Sequence, residues 1–172
     1  MVRPVALLQG AAMLAAFSCL GVGTTSTVTA TIVNTCTYNS GTMAFGTYDP
    51  LGVNATTPLS ITGTISLSCT RGSNAPTPTI SLNNGSNSAN VGGVVCATTV
   101  CSRAMASGTS YLAYDLYTDS AHSTVWNSTN TVSYSSTTMA ATNVSVYGYI
   151  PAGQNAAYGN TYIDSVTATV NF

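Results

Sequence analysis

The chain has 172 residues, 45% of them hydrophobic, and its only charged side chains are three arginines and four aspartates. A surface so poor in cations cannot neutralise a phosphate backbone, which excludes nucleic acid as a partner. The length allows one domain, and the abundance of Thr, Ser, Val and Tyr favours strands over helices.

An apolar leader opens the chain. Arg3 precedes an apolar run at residues 5–17, and small residues follow up to Gly23. This pattern predicts a secretory signal peptide over residues 1–23, and hence export of the mature chain. Cleavage after Ala30, a lipoprotein site at Cys19 and a short membrane anchor are the alternatives.

The next stretch, TTSTVTATIVNTC at residues 24–36, has a period of two. Val28, Ala30 and Ile32 alternate with threonines, which predicts a strand with one apolar face. Because it precedes the first cysteine of the mature chain, this strand need not pair within its own domain. We expect it to lie along the edge of another sheet.

Four cysteines remain after the leader: Cys36, Cys69, Cys96 and Cys101. The expected pairing is Cys36 with Cys69 and Cys96 with Cys101, in an oxidising compartment. A four-cysteine metal site is the alternative. It is disfavoured because no CxxC spacing and no nearby histidine are present, and no cofactor is expected.

Short alternating segments separated by turn residues predict the rest of an all-β sandwich. A turn at residues 71–74 and the prolines Pro76 and Pro78 should confine one of these strands, 79–82, to a sheet edge or to a strand start. The segments lie at residues 37–48, 59–69, 79–82, 94–103, 111–117, 131–134, 143–150 and 162–172. In the last of them one apolar face carries Val166, Ala168, Val170 and Phe172, and we expect its edge to be free to pair with another chain.

Enzymatic chemistry finds little support. His122 is the single histidine, and it lies three residues after Asp119 in a predicted solvated turn. No nucleophile elbow is present. Asp49, Asp115 and Asp164 are the other carboxylates, too few for a glycosidase without glutamate.

A sugar-binding surface is a further alternative. It would be formed by six aromatic residues, although aromatic residues in sandwiches more often lie in the core. They are Tyr111, Tyr114, Tyr117, Trp126, Tyr147 and Tyr149.

Seven segments in order resemble the spore coat protein U domain, which archaic (Csu-type) chaperone–usher pilus subunits share. They are TATIVNTC, FGTYDP, GTISLSCTRG, LNNG, LAYDLYTD, VSVYGYIPAGQ and YGNTYIDSVTATVNF. The resemblance implies an incomplete immunoglobulin-like β-sandwich that is completed by donor-strand exchange. Residues 24–35 would be the donor strand and residues 36–172 the pilin-like domain.

The resemblance also implies residue roles and partners. Val28, Ala30 and Ile32 would fill the acceptor groove of a neighbouring subunit, and Val166, Ala168, Val170 and Phe172 would line the chain's own groove. Cys36 and Cys69 match the family's cysteine positions, whereas Cys96 and Cys101 do not belong to that pattern. The implied partners are identical or homologous subunits, a periplasmic chaperone and an outer-membrane usher. The implied function is a pilus or fimbria shaft subunit on the extracellular surface, supporting adhesion and biofilm formation, with a spore or cell-surface coat protein as the alternative.

Overall fold

The computed structural model describes residues 27–39, 41, 43–70, 77–135, 138–158 and 161–172. The predicted signal peptide at residues 1–23 and the predicted turn at residues 71–74 lie outside the described residues. The chain divides into two units, Met1–Ile32 and Val33–Phe172. In the described part of the first unit, residues 27–32, the side chains are exposed and no regular secondary structure is present.

The second unit is built from two antiparallel sheets. The strands of the described residues are β1 Cys36–Asn39, β2 Leu59–Cys69, β3 Thr79–Leu82, β4 Arg103–Ser107, β5 Ser110–Tyr117, β6 Val132–Ser133, β7 Thr142–Ile150 and β8 Ala168–Asn171. Five of them form one sheet in the order β1-β2-β7-β5-β4, and the other three form the second sheet in the order β6-β3-β8. Two 3-10 helices, Val53–Ala55 and Ser88–Asn90, are also described. The predicted all-β sandwich is confirmed.

The centre of the larger sheet is the pair formed by β2 and β7. β2 has the predicted bounds, and its alternate side chains, from Leu59 to Cys69, turn towards the core. It pairs with β7 in the register Leu59 to Ile150 through Leu67 to Thr142. The alternation of apolar and hydroxyl side chains fixes this register, because a slip of one residue would turn the apolar face to water.

Two buried aromatic residues join the sheets across the core. The Tyr134 hydroxyl donates to the carbonyl of Leu67 at 2.7 Å, and its amide donates to the carbonyl of Pro78 at 2.8 Å. The Trp126 indole N–H donates to the carbonyl of Ile80 at 2.8 Å. Each aromatic residue therefore buries a large apolar area while its polar atom finds a partner.

Several elements differ from expectation. The segment 37–48 is a strand only within β1, and the segment 94–103 has only the bridge of Val95 to Val100 before β4 begins at Arg103.

Three further differences concern β3, the last strand and β5. β3 is the middle strand of its sheet, and Pro78 directly precedes it, so the strand-start alternative holds and the edge alternative is wrong. The last strand covers Ala168–Asn171 instead of residues 162–172, because Ile163 pairs with Ala106 of the other sheet. In β5 the residues from Leu112 to Tyr117 are buried on both faces.

Both expected disulfides are present, which removes the metal-site alternative. Cys36–Cys69 joins β1 to β2 at directly paired positions. Cys96–Cys101 closes a hairpin in which Val95 and Val100 form a bridge. The first crosslink closes the longer loop, with a sequence separation of 33 against 5.

Removing the two disulfides should therefore have unequal effects. In the chain-entropy model, replacing Cys36 and Cys69 with alanine lowers the free energy of unfolding by about 3–4 kcal/mol, and the same change at Cys96 and Cys101 lowers it by about 2 kcal/mol. Denaturant unfolding of the two double variants measures this. An equal or reversed order would contradict the loop-length argument.

Candidate functional site

An open cleft lies between the two sheets, with room for about 100 Å³. Its floor is apolar and comes from the middle of the larger sheet, including Ile65, Leu116 and Val146. One wall is formed by Gly41 and Met43, which follow β1. The other wall is formed by Val166 and by Ala168 of β8. The lining residues are Tyr38, Gly41, Met43, Gly63, Thr64, Ile65, Leu82, Leu116, Val146, Val166 and Ala168.

The first wall depends on glycines. Met43 packs over Gly63, where a Cβ atom would lie 3.0 Å from the Met43 terminal methyl carbon. Phe45 packs over Gly148, where a Cβ atom would lie 2.7 Å from the ring, and the ring contacts Tyr114 edge to face at 5.7 Å between centroids. Glycines on β2 and β7 thus let the segment after β1 lie directly on the sheet.

The second wall is held by Asp164. One carboxylate oxygen accepts from the amides of Ser86 at 2.8 Å and Ser165 at 2.9 Å and from the Asn87 side chain at 3.2 Å. The other accepts from the Tyr114 hydroxyl at 2.8 Å. These bonds fix the segment that leads into Val166, and β8 follows as an edge strand of its sheet.

Two buried tyrosines of β5 have raised pKa values. Burial, followed by the hydrogen bond to Asp164, raises the pKa of Tyr114 well above its usual range. Burial, followed by the charge of Asp115, raises the pKa of Tyr117 to about 12. The neutral phenol is favoured in both cases.

Stability should therefore fall at alkaline pH. Unfolded tyrosines release their protons at a pH of about 10, whereas the folded protein keeps these two protonated to higher pH. The stability is present below a pH of about 10 and decreases as pH rises through about 12 for Tyr117. The chain has ten tyrosines, and ultraviolet absorbance of tyrosinate follows their ionisation. We expect a fraction of them to ionise only when the circular dichroism signal of the folded protein is lost. Ionisation of all of them before any structural change would contradict this.

The predicted groove residues are placed unequally. Val166 and Ala168 line the cleft. Val170 is half-buried against the core, and Phe172 is 50% exposed, and neither lines the cleft.

The predicted donor residues are exposed, with Val28 at 93% and Ile32 at 82%, and Ala30 in the same class. An apolar alternation that remains in solvent is the opposite of what a core strand shows. The assignment of donor and groove residues stays a prediction.

His122 lies in a turn, as expected, and the Asp119 carboxylate holds this turn in place. Asp119 accepts from the Ser123 amide and hydroxyl, each at 3.0 Å, and from the Thr124 amide at 2.9 Å. These bonds, the Ser123 amide first, lower the pKa of Asp119. The His122 ring is half-buried against Tyr117 and Tyr149 instead of lying free in solvent, and no hydrogen bond joins it to Asp119 or Ser123 among the described contacts.

Three of the six aromatic residues predicted to form a sugar-binding surface are buried, so the prediction is wrong for them. Tyr114, Tyr117 and Trp126 are buried at 4%, 0% and 0% exposure. Tyr114 and Tyr117 lie on β5, which is covered on both faces, and Trp126 belongs to the core between the sheets. Tyr111 alone of the six is fully in the exposed class.

Sequence reasoning missed a buried ion pair between β4 and β5. The Arg103 Nη1 atom lies 2.7 Å from the Asp115 Oδ1 atom, and both side chains are 0% exposed. Arg103 also donates to the carbonyls of Asn83 and Trp126, and Asp115 accepts from the Ser102 amide and hydroxyl. The sequence does contain a sign of this pair. Asp115 stands inside the otherwise apolar segment YLAYDLY, in a chain with only seven charged side chains.

Neither a metal site nor a membrane helix is present among the described residues. Over the described ranges, no cluster of three or more His, Cys, Asp or Glu side chains is arranged to bind a metal ion. In that same part of the chain, no helix has the length and apolar character needed to cross a membrane.

Comparison with known proteins identifies the family. The model of the Spore Coat Protein U domain matches residues 23–169, and the chain belongs to this family. It is 35% identical over 178 residues to Protein U of Myxococcus xanthus, covering 98% of this chain and 96% of that protein. The predicted membership is confirmed.

A solved structure confirms the fold. The chain is similar to the CsuC–CsuE chaperone–tip adhesion subunit pre-assembly complex from archaic chaperone-usher Csu pili of Acinetobacter baumannii. The TM-score is 0.52 with 24% identity over 83% of this chain, and the chain spans 40% of the solved chain's length. An immunoglobulin-like sandwich agrees with this match. The chain belongs to a family of spore coat domains, which are structural, and it is not an enzyme.

Proposed function

We propose that the chain is a structural subunit of a secreted surface polymer, in which residues 24–35 of one copy complete the sandwich of the next. One observation carries this proposal. The domain has an apolar cleft beside an edge strand. In the segment from Val28 to Ile32 every second residue is apolar, as in a strand, and these side chains stay exposed.

The energetics favour such an exchange. Moving an exposed Val or Ile side chain into an apolar cleft contributes about 1.5–3 kcal/mol. The edge of β8 also offers unpaired main-chain groups to an added strand, and each hydrogen bond formed adds net stability. The donor and the acceptor are different parts of one chain, so donation is head to tail. Repeated donation gives an open filament when the rotation between copies does not close a ring.

The partners and location follow from this mode of assembly. A strand-deficient subunit needs a protecting chaperone in the periplasm and an usher in the outer membrane before polymerisation. Residues 1–23 would direct export, and residues 36–172 would form the body displayed on the cell surface as a pilus or fimbria. Adhesion and biofilm formation are the roles proposed for it. The solved relative, a chaperone–subunit complex, supports the chaperone step.

A coat protein of spores or cells is the second candidate. It is favoured by the family match and by the similarity to Protein U over nearly the whole chain. Both candidates use the same strand exchange, and they differ in whether the assembled object is a filament or a layer. Electron microscopy of the assembled material distinguishes them.

Peptide complementation tests the exchange itself. A chain lacking residues 24–33 is refolded with and without a peptide of residues 26–33, STVTATIV. We expect saturable binding that raises the melting temperature and the refolding yield, because a ligand that binds only the folded state stabilises it. A peptide carrying Ile32→Asp should have no effect. Equal folding with either peptide, or with none, would contradict the proposal.

A further inference from the structure

The sandwich has two distinct ends, which we call the disulfide end and the loop end. The disulfide end contains the Cys36–Cys69 pair, and the loop end contains the Leu59–Ile150 pair. The hydrogen bonds of Tyr134 to Leu67 and Pro78 show that the start of β3 lies at the disulfide end. Since Thr79 pairs with Asn171, β8 runs from the loop end towards the disulfide end.

The loop end carries two exposed apolar side chains on a rigid loop. Leu51 is 95% exposed and Val53 is 67% exposed. Asp49 accepts from the amides of Leu51 and Gly52 at 3.1 and 2.9 Å. Asn54 is buried, accepts from the Asp49 amide at 2.9 Å and donates to the carbonyl of Thr57 at 3.0 Å.

This loop is also fastened to the loop that follows β7. The Gly153 amide donates to the carbonyl of Asn54 at 2.8 Å. The Tyr48 hydroxyl donates to the carbonyl of Pro151 at 2.9 Å and accepts from the Gln154 amide at 3.0 Å. Leu51 and Val53 are thus presented on a preorganised surface, which lowers the entropic cost of binding a partner.

Strand direction shows which part of another copy would reach this surface. Every strand pair described here is antiparallel, so a donated strand pairing the same way with β8 would run from the disulfide end towards the loop end. Its last residues would leave the cleft beside Tyr48 and the loop carrying Leu51. The residue that follows Ile32 is Val33, which is 72% exposed in its own domain.

We infer that Leu51 and Val53 form a docking surface for Val33 of the copy that donates its strand, immediately outside the cleft. This inference rests on the proposed function. Val33 enters its own domain at the disulfide end, where the Thr35 amide donates to the Thr70 hydroxyl at 2.9 Å. The two apolar patches therefore occupy opposite ends of one domain. Such an arrangement is complementary head to tail and holds consecutive subunits in a fixed orientation.

Crosslinking polymers of the full chain tests the contact. Full chains carrying Val33→Cys together with Leu51→Cys or Val53→Cys are assembled and treated with a short bismaleimide. We expect a ladder of covalent multimers on denaturing gels. The matched control combines Val33→Cys with Met139→Cys, because Met139 is 73% exposed and lies shortly before Thr142, which pairs with Leu67 near the disulfide end. The control should give at least tenfold less multimer.

The outcomes separate this inference from the proposed function. Polymers that form normally but give no ladder with either loop position, or as much with the control, overturn the docking surface and leave strand exchange intact. Absence of polymers from the unsubstituted chain, by size exclusion and microscopy, overturns both. In a second test, Leu51→Ser with Val53→Ser should keep monomer stability but speed dissociation of polymers in denaturant, and unchanged dissociation would count against the contact.

Discussion

A chain carrying Ile32→Asp is expected to fold but to form no polymer. In the proposed strand exchange this side chain enters an apolar cleft, where a carboxylate would lose its hydration without gaining a partner. The described lining residues include no cation. Burying an unpaired charge costs several kcal/mol, which exceeds the gain from the isoleucine it replaces. Size exclusion and electron microscopy of the purified chain measure polymer yield.

Thr31→Asp is the matched control for this experiment. It adds the same charge one residue earlier, at a position that is also exposed in the free chain. In a strand the side chains of residues 31 and 32 point to opposite faces, so an aspartate at 31 would stay in water. Polymer yield should be retained in the control. Equal yields from the two variants would contradict the assignment of Ile32 to the cleft.

Breaking the Arg103–Asp115 pair should produce the largest loss of stability. Both groups are fully buried and fully hydrogen-bonded, so Arg103→Met would leave a buried carboxylate without its cation. The expected cost is about 3–5 kcal/mol. Because domains are stable by only about 5–15 kcal/mol, this is a large share of the total. Asp115→Leu should cost a similar amount for the reverse reason.

The double variant Arg103→Met with Asp115→Leu separates pairing from packing. It removes both charges together, so its free energy of unfolding should be higher than that of either single variant. Urea unfolding of the four proteins completes the cycle. If the double variant loses the sum of the two single losses in the free energy of unfolding, the two side chains act independently. That result would contradict a stabilising ion pair between them.

How far the sequence predicts the fold depends on the exposure of each strand. β2 and β7 each have one buried and one wet face over most of their length, so a period of two marks them clearly. β5 is covered on both faces, so the alternation of its residues does not separate a buried face from a wet one. The extent of β8 was overestimated because its pairing partner changes near Ile163, and no local pattern reports a change of sheet.

The candidate site shows the same limit. The alternation predicts an apolar face at Val166 and Ala168, the family resemblance assigns that face to a groove, and both residues line the cleft. Val170 and Phe172 share that alternation, yet the opening ends before them, since the cleft depends on where the segment after β1 crosses the sheet. That crossing is set by the contacts of Met43 and Phe45 with Gly63 and Gly148, which are long-range. The docking role proposed for Leu51 and Val53 rests on strand directions, which a sequence alone does not supply.

A crosslink between the donor segment and the cleft tests the central claim most directly. A chain carrying Ile32→Cys together with Val166→Cys or Ala168→Cys is assembled and oxidised. If each copy completes its neighbour, the new disulfide joins different chains and yields covalent multimers, with little crosslinked monomer. A disulfide formed within single chains, in a protein that stays monomeric, would contradict the account.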